Sequence, residues 1–199
     1  MGARDWWRLP PAIRNRFERL SVKQSETLYR GVMSIVSCNL AGKLLAQLSR
    51  LIGTPLAPYR GRDIATEVAV YPAPKKNGKV WERRYAFPGR VPLSVKSTKI
   101  LDTNAQLLEV VGANFGMELR VFEEHRALQF VSKRYFWEGF GHRFYLPDLL
   151  TPGQAHVSHT DLGDGAFRFQ ISIMHPLLGE TFFQVGDFRE VTERGDPAK

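Results

Sequence analysis

Cysteine is almost missing from this chain: Cys38 is the only one in 199 residues. An intrachain disulfide and a cysteine-based zinc site are therefore excluded, and a reducing, cytoplasmic location is the expectation. Long hydrophobic runs are missing as well. No segment reaches the roughly 18 uncharged residues of a membrane-spanning helix, and the N-terminal MGARDWWRLPPAIRNRF lacks the apolar core of a signal peptide. Gly2 opens like a myristoylation signal, but Trp6 stands where serine or threonine is required. Nucleotide loops are absent in both common forms. GxxxxGK[ST] does not occur, and Gly139-Phe140-Gly141 is followed by Phe144 where a dinucleotide loop needs its third small residue. GxSxG and HExxH are also missing. Enzymes built on those devices are excluded, no cofactor is expected, and the sequence leaves open whether there is any catalysis.

What is present reads as one soluble domain, with 43% hydrophobic and 24% charged residues. The formal net charge of +8 is unevenly spread. Residues 1–62 hold 11 Lys and Arg against 3 Asp and Glu, whereas residues 63–199 hold 17 of each. A basic segment carrying Trp6, Trp7, Ile13 and Phe17 suits either a solvated arginine-rich helix face or weak contact with an anionic membrane surface. Nucleic acid is not an expected partner.

Pro10 and Pro11 suit a helix start, and Ile13, Phe17 and Leu20 follow at helical spacing. Residues 26–37 are rich in β-branched and aromatic types and predict a strand. Asn39 predicts the N-cap of a second helix running to Ile52, with Leu40, Leu44, Leu45, Leu48, Leu51 and Ile52 as its apolar stripe. From residue 62 onward the period is that of strands, near 64–72, 79–87, 92–101, 105–111, 116–123, 127–137, 154–161, 166–174 and 181–190. Short turns such as Lys76-Asn77-Gly78 and Gly163-Asp164-Gly165 separate them, which predicts antiparallel neighbours. The expected fold is α+β: a strongly curved antiparallel β-meander of about nine strands, a half or open barrel, with two N-terminal helices. The leucine-rich helix should cover or plug the concave face and bury its stripe. A basic N-terminal tail over 1–8, one domain over 9–191 and a C-terminal tail over 192–199 complete the expected organisation.

Three local patterns bear on chemistry. Glu138 to Tyr145, EGFGHRFY, partly follows the aromatic strand of RNA-recognition domains, but Glu138 and His142 replace a basic and a stacking residue. His156 and His159 with Asp161 offer at most two ligands on one strand face, so they are expected at the surface and no metal site is expected. More telling are charges in register with apolar residues. Arg83 alternates onto the face of Trp81 and Tyr85, Glu109 onto that of Leu107 and Val111, and Arg134 onto that of Leu128, Phe130 and Phe136. A charge on an apolar sheet face must be paired across strands or must serve a ligand. Phe167, Phe169, Ile171 and Ile173 supply another apolar face. The candidate ligand-binding residues are Trp81, Arg83, Tyr85, Glu109, Phe130, Arg134 and Phe169, with the arginines holding an acidic head group in an aromatic-lined cavity.

A series of short motifs in fixed order also resembles a bacterial family of unknown function, the one numbered 4166. They are Leu9-Pro10, Tyr29-Arg30-Gly31, Gly53 to Pro58 (GTPLAP), Trp81 to Tyr85 (WERRY), Glu109 three before Gly112, Leu146 to Pro152 (LPDLLTP), Phe167-Arg168-Phe169, and Pro176 to Gly179 (PLLG). The resemblance spans roughly residues 9–190 and departs from the pattern in the last strand, at Gln184 to Phe188. It implies a module found alone or behind an NAD(P)-binding reductase-like domain, and thus an NAD(P)-dependent reductase as a partner. It supplies no catalytic residues. The expected function is binding of a small apolar or amphipathic, lipid-like ligand. The alternatives are an enzyme or reductase accessory subunit using Arg83 and Glu109 in a cleft, and a protein-interaction module using exposed sheet aromatics.

Overall fold

The computed structural model describes all residues except 23–24, 50–55, 75–76 and 192–199, and of residues 19–22 the backbone alone. Leu20, Leu51, Ile52 and the first half of GTPLAP lie outside the described side chains.

Alternation of apolar and polar residues from Thr27 onward builds eleven strands among the described residues. They are β1 (Thr27–Cys38), β2 (Gly61–Pro72), β3 (Gly78–Tyr85), β4 (Leu93–Leu101), β5 (Leu107–Gly112), β6 (Phe115–Glu124), β7 (Ala127–Gly139), β8 (His142–Tyr145), β9 (Gln154–Gly163), β10 (Ala166–His175) and β11 (Gly179–Glu190). Several hairpins turn through two residues that both have positive φ, as Ala113-Asn114, His125-Arg126 and Asp164-Gly165 do. That backbone twist matches the right-handed twist of the flanking strands.

The sheet closes. Each strand from β1 to β7 pairs with the next, β7 pairs on its other edge with β9, and β9, β10 and β11 lead back to β1. The result is a closed ten-strand antiparallel barrel rather than the half or open barrel of about nine strands that the sequence predicts. The reason is the length of β7, 13 residues. Leu128 to Val131 pair with β9, while Phe136 to Gly139 pair with β8, a flap outside the ring that the sequence pattern hides in an apparent interruption. Closure satisfies the main-chain groups that open sheet edges leave unpaired.

Among the described residues three α-helices accompany the barrel: α1 (Ala3–Arg8), α2 (Pro11–Val22) and α3 (Leu40–Ser49). The first packs on β6 and the second on β9. Turns β2–β3, β4–β5, β6–β7 and β9–β10 share one end of the barrel, and α2 closes that end beside Asp164 and Gly165. Ile13 of α2 is fully buried, and Phe17 packs against Trp81 and Phe130 of the inner wall. Part of the interior is filled by Tyr29, Met33, Tyr85, Phe87, Phe167 and Phe188. Among the described residues no helix is long and apolar enough to cross a membrane.

The opposite end carries α3, a 3-10 helix over Asp148–Leu150, and the β10–β11 turn. As expected, Asn39 caps α3, its side-chain oxygen accepting from the Gly42 amide at 2.7 Å. The orientation of α3 is not as expected. Leu40, Leu44 and Leu48 are 83%, 62% and 53% exposed, while Gly42, Ala46 and Ser49 face the barrel. The inner face is chosen by size, not hydrophobicity: a Cβ at Gly42 would collide with the Thr181 carbonyl. Replacing Gly42 by leucine is accordingly expected to cost about 1–3 kcal/mol through overpacking, read as a lowered urea midpoint. An unchanged midpoint would show that α3 is not held against β11.

Candidate functional site

The unfilled part of the barrel interior is a cavity of about 360 Å³ running from Phe17 of α2 toward Leu45 and Leu48 of α3. Its walls are mostly apolar: Met117 and Leu119 of β6, Val157 of β9, and Phe169, Ile171 and Ile173 of β10. Strand alternation places these side chains inward, and the closed ring brings β3–β5 face to face with β9–β10.

A small polar group sits in this apolar setting. Lys99 and Glu109 are directly opposite across β4 and β5, and Lys99 Nζ lies 3.0 Å from a Glu109 carboxylate oxygen. The same ammonium group stands 5.3 Å from the Trp81 ring centre and 5.7 Å from that of Phe130. Burial pulls Lys99 below the ordinary lysine value by more than Glu109 restores it. Burial also pushes Glu109 up, but the charges of Lys99 and Arg83 outweigh it, and the carboxyl ends below its ordinary value. Arg83 lies 5.5 Å from the ring centre of Phe169 and, among the described residues, has no carboxylate within salt-bridge distance and makes no hydrogen bond. The pair therefore cancels, and Arg83 remains as an excess positive charge at the cavity wall.

His159 is the other unusual group. It is 5% exposed and lies 5.3 Å from Phe17, 5.5 Å from Phe169 and 5.7 Å from Phe167, with Trp81 and Phe130 at 6.1 Å. Burial, reinforced by the charges of Lys99, Arg16 and Arg83, holds it down to about 3, so the imidazole is neutral. Its Nδ1, at the cavity, is buried and has no hydrogen-bond partner among the described residues; the Ser97 hydroxyl, buried at the same cavity, helps to hold the Glu109 carboxyl down.

Of the seven residues selected by sequence, five line the cavity: Trp81, Arg83, Glu109, Phe130 and Phe169. Tyr85 faces inward as expected but belongs to the filled part, where it stacks on Phe87 and donates to the Gln184 side-chain oxygen at 2.8 Å. Arg134 is on the outside. Opposite Glu118, β7 bulges, so that Ser132 pairs with Leu119 and Tyr135 with Met117. The extra residue passes the inward position to Tyr135, and Arg134 instead pairs with Glu118 at 3.2 Å and lies 3.8 Å over the Tyr145 ring. Glu118 also accepts from the Tyr145 hydroxyl at 2.7 Å, which ties the β8 flap to the barrel wall.

Lys99, His159 and Phe17 are missed by the sequence reading. Lys99 was legible in principle, because the tight turn after β4 sets it opposite Glu109. His159, expected at the surface, follows Val157 on the inner face, while His156 points outward and bonds to Gln129 at 2.9 Å. Among the described residues no three His, Cys, Asp or Glu side chains converge in a way that could hold a metal ion.

No curated protein and no solved structure matches the chain. A family model, described as a domain of unknown function, DUF4166, matches residues 9–188. With that match covering most of the chain and, but for the last two residues of β11, all ten strands of the ring, the protein belongs to the DUF4166 family.

Proposed function

We propose that the barrel binds a small amphipathic ligand, with its apolar body against Phe169, Ile171 and Val157 and an anionic head group on Arg83. The observation that carries this reading is Arg83 itself. An unpaired cation beside an apolar cavity is costly unless something completes it, and the carboxylate nearest in charge terms, Glu109, is already engaged by Lys99. A carboxylate or phosphate suits the planar guanidinium best. The cavity of about 360 Å³ falls in the lower part of the range for small-molecule sites. His159 Nδ1, which has no hydrogen-bond partner among the described residues, offers a further polar contact at the same wall.

Titration with decanoate, followed calorimetrically, tests the reading, with decanol as the neutral comparison. Arg83→Met is expected to weaken decanoate binding roughly 10- to 150-fold, the worth of one charge-assisted hydrogen bond, about 1.5–3 kcal/mol. Decanol binding should be unchanged. Equal decanoate affinity in the variant, or no binding of either compound by the unaltered protein, overturns the proposal.

A further inference from the structure

The mouth end of the barrel is ringed by exposed leucines from three separate segments. Leu40, Leu44 and Leu48 form the outer face of α3, Leu149 and Leu150 lie on the 3-10 helix, and Leu177 and Leu178 form the β10–β11 turn. Hydrogen bonds fasten these segments to one another. The Asn39 side chain donates to the Leu178 carbonyl at 2.8 Å, His175 approaches the Leu149 carbonyl at 3.3 Å, and the Thr181 hydroxyl donates to the Pro152 carbonyl at 2.7 Å. The leucines therefore form one held rim rather than scattered exposed residues, and contiguous apolar surface of this kind marks an interaction site.

Two further observations identify the occupant. Leu48 and Leu150 are exposed on the rim and also line the cavity, so apolar side chains reach from the outside into the barrel. Between Glu26 and Asp63 the sequence has no acidic residue and five basic ones, of which Lys43 on α3 and Arg60, bonded to the Cys38 carbonyl at the foot of α3, stand exposed by the mouth. The acids nearby, Asp148 and Glu180, belong to the other two segments, and Glu180 accepts a hydrogen bond from Ser172. A protein partner would cover the leucines but would have no use for their continuity with the cavity. A lipid surface uses both, with cations of the α3 side at the head groups.

We propose that this leucine rim seats on an anionic lipid surface and that the ligand passes there between the surface and the cavity. The docking face is thus at the end opposite the basic N-terminal helices, whose Ile13 and Phe17 are already committed to the barrel interior. The passage of ligand rests on the cavity reading given above; the docking does not.

Co-sedimentation with vesicles of equal parts phosphatidylcholine and phosphatidylglycerol, against phosphatidylcholine alone, is the test. The full chain is expected to partition onto the anionic vesicles, and Leu44→Ser/Leu149→Ser/Leu177→Ser to lower that partitioning at least about tenfold. None of these three residues lines the cavity, so the thermal midpoint and decanoate affinity should hold. Trp7→Ala, at the other end, should partition like the unaltered protein. Equal partitioning of the triple variant overturns the proposal, as does a failure of the unaltered protein to bind vesicles. It is also overturned if light scattering shows a dimer that the triple variant abolishes. Vesicle binding with no decanoate binding supports the docking surface and overturns the cavity reading alone.

Discussion

Exchanging His159 for phenylalanine is expected to make the protein more acid-resistant: at pH 4.5 the variant should be more stable than the parent by about 2–3 kcal/mol. The parent imidazole is held down to about 3 in the fold, against an ordinary value of 6.5. A folded value below the unfolded one means that the unfolded chain binds the extra proton throughout the window between them. Stability therefore falls as pH drops from 6.5 toward 3, by about 1.4 kcal/mol per unit, and the loss is complete below the folded value. Phenylalanine cannot titrate, and it fits a site walled by Phe17, Phe167 and Phe169. At pH 7 the exchange also removes a buried nitrogen that has no partner among the described residues, so stability there should be kept or raised. Urea midpoints at pH 7, 5.5 and 4.5 measure the difference. Parallel profiles would mean that His159 is not neutral and enclosed. Below about pH 4.5 the variant should still weaken, because Glu109 and Glu82 have folded values beneath their ordinary one, and their contribution is lost as they protonate.

Glu109→Gln should be the most damaging single change considered. It leaves Lys99 enclosed between Trp81 and Phe130 without its counter-charge. Breaking a buried pair from one side costs about 3–5 kcal/mol, which for a domain of this size is a fall of roughly 6–20 °C in the thermal midpoint. Removing both charges with Lys99→Met/Glu109→Leu should recover most of that loss, since two apolar side chains suit the surroundings and leave no orphan. The double-mutant cycle separates the pair's coupling from simple packing. A loss under about 1 kcal/mol in the single variant would show that water reaches the pair and that the cavity is wetter than its walls imply.

The sequence made the strands legible because their signals are local: alternation, turn residues and the proline-marked helix start act within a few positions. The inward set of Trp81, Arg83, Glu109, Phe130 and Phe169 followed from alternation alone. Arg134 escaped because one added residue in β7 inverts every later side chain, and nothing near Lys133 announces the bulge. The orientation of α3 escaped for a different reason. Its leucines and its small residues both recur at helical spacing, and which set turns inward is decided by the Thr181 carbonyl across the contact. Closure depends on β1 meeting β11 and on β7 reaching past the β8 flap to β9, pairings between separated segments that leave no mark in either. The family resemblance organised the motifs without adding chemistry, and the leucine rim was invisible because three separate stretches compose it.

The seam between β1 and β11 has a consequence for how the chain reaches this shape. Tyr29 aligns with Glu190 and Cys38 with Phe182, so the first strand waits for the last before one of its edges is satisfied. While the chain is being synthesised, the edge of β1 that faces β11 stays open until β11 has emerged. Pairings across such a separation make folding slow, and the waiting edge is open to wrong partners. The time before closure, more than the finished barrel, is when this protein most needs protection.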